Sequence, residues 1–239
     1  MRGLRRWVVR AFCVLLMAAP FVVVVLWLAL HHKPVWYRPI TLDEAGIEQA
    51  RRDVISTADF VSDRIVQGDS FDVVLTERSI NEWLTALPDA WPDAHVELPP
   101  EIRDPAIGLR DGSVRVGAHY AADSCQAILS LRFRLTVSAD KTRLMFALDS
   151  AYGGSLPLPN AVVREALDGL LRQAKRSRRK PNGTTEPLLD TLQAVRSADD
   201  LFEGISLKNR FIWFNGKRPY RIESIKIGNG ELRLRVDPL

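Results

Sequence analysis

The sequence lacks the short motifs that accompany the commonest enzymatic chemistries. It has no P-loop, no dinucleotide-binding glycine pattern, no GxSxG, no HExxH and no paired CxxC. Its four histidines, at positions 31, 32, 95 and 119, have no neighbour at metal-ligand spacing. We therefore expect no cofactor, no metal and no catalytic residues, and we favour a non-enzymatic protein. A triad can also assemble from residues that are distant in sequence, so an enzyme stays an alternative.

Cysteine and uncompensated charge are also scarce. Cys13 lies in an apolar run, and Cys125 has no partner in the rest of the chain with which to form a disulfide, so we expect a packing residue there. The 33 Lys and Arg exceed the 29 Asp and Glu by 33 − 29 = 4, and the arginines of residues 1–10 account for this excess. The remaining chain is formally neutral, which argues against nucleic acid as a partner.

Residues 11–30 form a long, uncharged apolar run. Their 20 residues match the roughly 20 that a helix needs to cross a hydrocarbon core. Because the arginines lie on the N-terminal side, the sequence predicts a signal-anchor of a single-pass cell-membrane protein. The expected order is a basic cytoplasmic segment at 1–10, a transmembrane helix at 11–30, a juxtamembrane linker at 31–40 and an extracytoplasmic α+β domain at 41–239. A cleaved signal peptide is the alternative, although its apolar core is typically only about 7–15 residues long.

The first part of the domain is predicted to contain two helices separated by a short strand. Thr41 and Glu44 fit a capping box at the start of a helix over 42–67, and Gly68 is suited to end it. In FDVVLTERSINEWL, residues 71–84, the alternation at the start predicts a strand. Thr76 is then placed to cap a second helix that ends near residue 87.

From residue 105 onward the apolar period changes to two. Residues 126–138 and 143–150 alternate apolar and polar side chains around a turn at Asp140-Lys141, which predicts a long antiparallel hairpin. The phase slip in RIESIKI indicates a β-bulge. The remaining predicted elements are helices at 160–176 and 187–195 and strands at 211–214, 221–227 and 231–236.

The apolar face of this hairpin has two interpretations, which periodicity does not distinguish. Helices can cover it and form an ordinary core, or the strands can curl around a helix and form a groove that holds an acyl chain. The predicted groove lining is Trp83, Val116, Leu129, Leu131, Phe133, Leu144, Phe146 and Leu148.

A basic cluster follows the helix predicted at 160–176. Arg176, Arg178 and Arg179 are candidate contacts for anionic lipid head groups. The alternative is a solvated helix end, because cations suit a helix C-terminus.

Three motifs resemble those of the YpmS-like family of small membrane-anchored bacterial proteins. They are VVLTERSINEWL, especially Leu75-Thr76-Glu77 followed by Ile80-Asn81, the alternating hairpin at 126–150, and GGSLPLP before a helix. The resemblance covers about residues 41–175 and implies a helix wrapped by a strongly curved antiparallel sheet, similar to tubular lipid-binding folds. At this corner we expect the Asn81 amide to satisfy backbone groups.

The expected fold class is therefore α+β: a single N-terminal transmembrane helix, then a long, strongly curved antiparallel sheet packed around helices. The expected function is non-enzymatic binding of a lipid or another apolar ligand in the cell envelope. The alternative is a structural or assembly protein of the envelope, with a filled core and a protein partner.

Overall fold

The structure is a computed structural model that describes the backbone of residues 2–90, 99–122, 125–177, 195, 197–213 and 218–239. Side chains are described in the same ranges except at 2–16, 89–90, 125 and 173–177. The helices are α1 (Arg2–His31), α2 (Glu44–Gln67), α3 (Glu77–Ala90), α4 (Asn160–Ser177) and α5 (Ala198–Glu203). The strands are β1 (Phe71–Thr76), β2 (Ile102–Arg110), β3 (Ser113–Ala122), β4 (Cys125–Val137), β5 (Arg143–Gly153), β6 (Leu156–Pro157), β7 (Ile205–Lys208), β8 (Phe211–Ile212), β9 (Pro219–Ile227) and β10 (Glu231–Pro238).

The strands form two antiparallel sheets. One has four strands in the order β1-β10-β9-β8, and the other has six, in the order β2-β3-β4-β5-β6 with β7 also paired to β5. The expected single, strongly curved sheet around a helix is wrong. The described strands form two separate open sheets, neither closed nor strongly curved, with helices packed against their faces.

The expected transmembrane helix at 11–30 is also wrong. Within the residues that the structure describes, no helix is both long enough and apolar enough to cross a membrane. The apolar side chains described in α1, from Met17 to Leu30, extend only about 21 Å at 1.5 Å per residue, against about 30 Å of hydrocarbon. The single-pass signal-anchor is therefore not retained, and the location of the domain stays a prediction.

Helix α2 covers one face of the four-stranded sheet. Val61 and Ile65 of α2 pack against Phe71 and Val73 of β1 and Val236 of β10. The helix ends as predicted, because Gly68 has a left-handed backbone (φ 87°). Its start differs from the prediction. Asp43, rather than Thr41, is the N-cap, and its carboxylate accepts a hydrogen bond from the Gly46 N–H.

Helix α3 is joined to strand β2 by side-chain hydrogen bonds. Thr76 caps α3 as predicted, since its hydroxyl accepts from the Ser79 N–H (3.0 Å). The buried Asn81 amide donates to the Ile107 carbonyl (2.8 Å) and accepts from the Ile107 N–H (2.7 Å), which confirms its predicted structural role. One turn earlier, the Glu77 carboxylate accepts from the Leu109 N–H (2.8 Å). These bonds fix the six-stranded sheet against the helical layer.

A second asparagine makes the same kind of contact in the other sheet. Asn209 is 3% exposed, and its amide donates to the Ile222 carbonyl (2.7 Å) and accepts from the Ile222 N–H (2.8 Å). Ile222 lies at the bulge predicted in RIESIKI, where β9 and β10 change register. Asn209 therefore satisfies backbone groups at a break in the sheet.

The predicted hairpin of β4 and β5 is confirmed and forms the centre of the six-stranded sheet. Its register pairs Phe133 with Leu148 and Leu131 with Ala151. The turn lies where it was predicted, and hydrogen bonds from the Ser138 and Thr142 hydroxyls hold the pKa of Asp140 at about 2. Preceding this hairpin, Asp111 (φ 52°) and Gly112 (φ 69°) turn β2 into β3, in the left-handed conformation that Asp-Gly hairpin turns require.

Candidate functional site: a basic pocket on the polar face of the sheet

Strand alternation gives the six-stranded sheet one polar face. Arg115 of β3 lies opposite Gly108 of β2 and Arg132 of β4, and Arg132 lies opposite Ser150 of β5. Directly opposed residues point to the same side of a sheet. The two arginines therefore lie side by side on the face opposite to Val116 and Phe133.

The segment that follows α1 covers part of this face, and we call residues 32–37 the strap. The indole of Trp36 lies on Gly108 and Gly117, which are close neighbours on β2 and β3. A Cβ at either glycine would approach the indole to 2.6 Å, so only glycine leaves room for the ring there. Trp36 is 7% exposed, and it packs with Tyr37, Ala106 and Ile128. The segment predicted to be a juxtamembrane linker is thus folded onto the sheet.

Polar contacts fix both ends of the strap. At one end, the His32 Nδ1 and the Ser155 hydroxyl share a hydrogen bond of 2.6 Å. At the other end, the Tyr37 hydroxyl donates to the Asp104 carbonyl (2.7 Å). Burial, with the nearby Asp104 carboxylate, raises the pKa of Tyr37 to about 12, because both disfavour a charged phenolate.

Between the strap and the sheet lies a pocket of about 530 Å³, which we call the basic pocket. Three arginines line it, together with aromatic, hydroxyl and imidazole side chains. The lining residues are His32, Pro34, Val35, Trp36, Arg110, Arg115, Ser130, Leu131, Arg132, Tyr152, Gly154 and Ser155. This volume falls within the range of small-molecule sites in proteins.

Positive charge exceeds negative charge in and beside the basic pocket. Asp111 binds Arg115 (3.1 Å), and Asp149 lies 3.8 Å from Arg132. Asp149 is shared, because it also binds the neighbouring Arg134. The guanidinium of Arg110 has no hydrogen-bond or ion-pair partner among the described residues. Four arginines therefore face two aspartates, an excess of 4 − 2 = 2 positive charges.

Two buried polar atoms near the pocket lack hydrogen-bond partners. They are the Nε of Arg115 and the hydroxyl oxygen of Ser150, which flank Arg132 in one row across the sheet. A buried donor without a partner costs about 1–3 kcal/mol, and more when the group is charged. In native structures such groups are rare and usually indicate function or a bound molecule.

The hydrogen-bonded pair of Ser155 and His32 lacks the other parts of an acyl-transfer site. The Ser155 N–H donates to the Ala29 carbonyl (2.8 Å), and the Gly154 N–H donates to the Ile128 carbonyl (2.7 Å). Neither amide is therefore available to stabilise an oxyanion. Within the described part of the chain, no carboxylate is hydrogen-bonded to the His32 ring to orient it. We therefore assign this pair to strap attachment.

Most of the predicted groove residues lie on the opposite, apolar face of the sheet. Five of them belong to one core cluster with side chains of α4 and α5, in particular Val163, Leu167, Leu201 and Phe202; these five are Val116, Leu131, Phe133, Phe146 and Leu148. Leu129 lies beside Gly153, where Leu30 of α1 also packs.

The remaining predicted site residues lie elsewhere. Leu144 pairs with Val137 and Leu207, and Trp83 lies on α3, which packs against α2, β1 and β2. The side chain of Arg176 lies outside the described residues, as do Arg178 and Arg179. Lipid binding and an envelope role receive no support from this geometry.

Sequence reasoning missed the basic pocket, although part of its signal was present. Arg115, Arg132 and Arg134 occupy the polar phase of their strands, where a solvated face is the ordinary expectation. The register that places Arg115 opposite Arg132 is not readable from either strand alone. The glycines opposite each other on β2 and β3, which admit Trp36, were the available clue.

No known protein family, curated protein or solved structure matches this chain. Among the described residues, no group of three or more His, Cys, Asp or Glu side chains is placed to hold a metal ion.

Proposed function

We propose that this chain is a ligand-binding protein whose basic pocket takes a small organic anion. The observation that carries this proposal is the buried Arg115 Nε, which has no hydrogen-bond partner and lies among arginines in excess over carboxylates. A carboxylate or phosphate oxygen would satisfy this donor and balance the charge. Hydrogen bonds between arginine and such anions are among the strongest in proteins.

The partial burial of the pocket supports binding strong enough to be selective. The side chains of Arg115 and Arg132 are 25% and 31% exposed, so water screens their charges less than at an open surface. Pro34, Val35 and Trp36 supply an apolar wall beside the guanidinium groups. Small-molecule sites combine such walls with a few convergent polar groups.

The test is calorimetric titration of the full-length chain with inorganic phosphate, sulfate, citrate and acetate. Arg110→Gln is the first variant, because it removes a charge without breaking a hydrogen bond or ion pair of the described residues. We expect it to weaken anion binding about tenfold, the loss of one charge-assisted contact. The matched control is Arg233→Gln, an exposed arginine in the other sheet, which should bind anions like the parent chain. Absence of binding by every anion, or equal binding by Arg110→Gln, would refute the proposal.

A second candidate is the structural or assembly protein with a filled core. The observation that favours it is the cover of α4 and α5 over the apolar face of the six-stranded sheet. Solvent extraction of the purified chain followed by mass spectrometry checks this candidate, which predicts no co-purified lipid. Stoichiometric lipid would contradict a filled core.

A further inference from the structure

We infer that the ligand of the basic pocket is a compact dianion of the phosphate monoester class. This inference rests on the proposed function, and it adds the charge and the shape of the anionic group. It follows from the charge excess, from the spacing of two arginines and from the hydroxyl groups at the other end of the pocket.

The charge excess indicates a dianion. Arg110, Arg115, Arg132 and Arg134 oppose Asp111 and Asp149, which leaves two positive charges. A monoanion such as a single carboxylate would leave one of them uncompensated in a partly buried site. A phosphate monoester carries about −1.5 to −2 charges at neutral pH and therefore matches this excess.

The spacing of Arg115 and Arg132 indicates a compact anionic group rather than two separated ones. These residues are directly opposed on neighbouring strands. The Cβ atoms of such a pair lie about 4.5–5.5 Å apart, and like charges in this position repel each other. A single tetrahedral phosphate can accept hydrogen bonds from both guanidinium groups and remove this repulsion. An extended dicarboxylate would place only one of its charges between them.

The other end of the pocket indicates a ligand with hydroxyl groups. Ser130, Tyr152 and Ser155 line the pocket together with His32. Ser130 lies opposite both Gly117 and Tyr152 in the register, next to the row that contains the arginine pair. A phosphate bound at the arginines would direct its ester substituent toward these side chains, which can donate to and accept from hydroxyl groups.

The discriminating experiment compares methyl phosphate with dimethyl phosphate by calorimetric titration of the full-length chain at pH 8. The two probes differ by one methyl group, but the monoester is a dianion and the diester a monoanion. We expect the monoester to bind at least about tenfold more tightly, as for loss of one charge-assisted interaction. Glycerol phosphate should bind more tightly than methyl phosphate, and succinate should bind more weakly than either monoester. Equal binding of monoester and diester, or tighter binding of succinate, would overturn the inference.

Asp111→Asn provides a second, opposite test. Asn tolerates the left-handed backbone of position 111, and its side-chain oxygen can still accept from Arg115. The variant raises the positive excess, so methyl phosphate should bind several-fold more tightly. Asp72→Asn, which removes a carboxylate paired with Arg235 in the other sheet, is the matched control and should leave binding unchanged. Weaker binding of methyl phosphate by Asp111→Asn would contradict the inference.

These outcomes separate the inference from the proposed function. Failure of every anion to bind removes both. Binding that depends on Arg110 but does not distinguish monoester from diester preserves an anion-binding protein and removes the phosphate monoester.

Discussion

The two faces of the six-stranded sheet are built from the same strands and differ in how completely their groups are satisfied. On the apolar face, Phe133 and Phe146 stack with ring centroids 4.6 Å apart beneath α4 and α5. On the polar face, arginines lie side by side, and a buried guanidinium nitrogen has no partner. We interpret the apolar face as the source of stability and the polar face as the site of function.

The largest expected effect comes from the apolar face. Phe133→Ala should lower the free energy of unfolding by about 3–5 kcal/mol, because it removes a large buried ring and leaves a cavity. Denaturant titration measures this loss. Val162→Ala on α4 is the control, because Val162 is 55% exposed and should change stability by less than about 0.5 kcal/mol. A loss below about 1 kcal/mol for Phe133→Ala would show that this face is not a packed core.

An intermediate effect is expected where the strap meets the polar face. Gly117→Ala would place a Cβ 2.6 Å from the Trp36 indole, so the ring must move. We expect a loss of about 1–3 kcal/mol, as for overpacking, together with a change in tryptophan fluorescence. Gly169→Ala is the matched control, because no atom lies within 4 Å of its added Cβ and the site is helical. That control should be neutral or stabilising by up to about 1 kcal/mol, and an unchanged Gly117→Ala would refute the packing of Trp36 on β3.

The smallest effect is a pH dependence confined to the alkaline range. The folded-state pKa of Tyr37 is raised from 10.0 to about 12, so the neutral phenol is favoured in the folded chain. The stability that this shift contributes is fully present below pH 10 and is lost as the pH rises toward 12. Ultraviolet titration of tyrosinate should show a late-titrating group that Tyr37→Phe removes. If the titration curve of Tyr37→Phe equals that of the parent chain, Tyr37 is not buried by the strap.

Local patterns predicted the elements of this fold better than their assembly. The alternation at 126–150 is sufficient to predict β4 and β5, and Gly68 and Thr76 mark a helix end and a helix start through their own backbone chemistry. The cap of α2 was misplaced because Asp43 competes with Thr41 for the same role two positions away. Such choices depend on one hydrogen bond.

What the sequence did not predict depends on contacts between distant segments. Helix α5 and strand β7 are short, and they are placed by packing on α4 and β5 rather than by strong periodicity. The aromatic pair at 36–37 was interpreted as a membrane-interface signal, whereas the structure buries it against glycines more than seventy positions later. The basic pocket depends on this long-range contact as well as on strand register. The resemblance to the YpmS-like family stays a prediction, without the tubular fold that it implied.

The asparagine bonds described for α3 have a consequence for how the molecule meets other chains. Strand β2 is the outermost strand of its sheet, and an outer strand normally offers its free N–H and C=O groups to any extended peptide. Asn81 and Glu77 already occupy the backbone groups of Ile107 and the Leu109 N–H. Helix α3 thus acts as a cap on this border and opposes edge-to-edge aggregation, so a substitution such as Asn81→Leu would expose the border to self-association as well as lower stability.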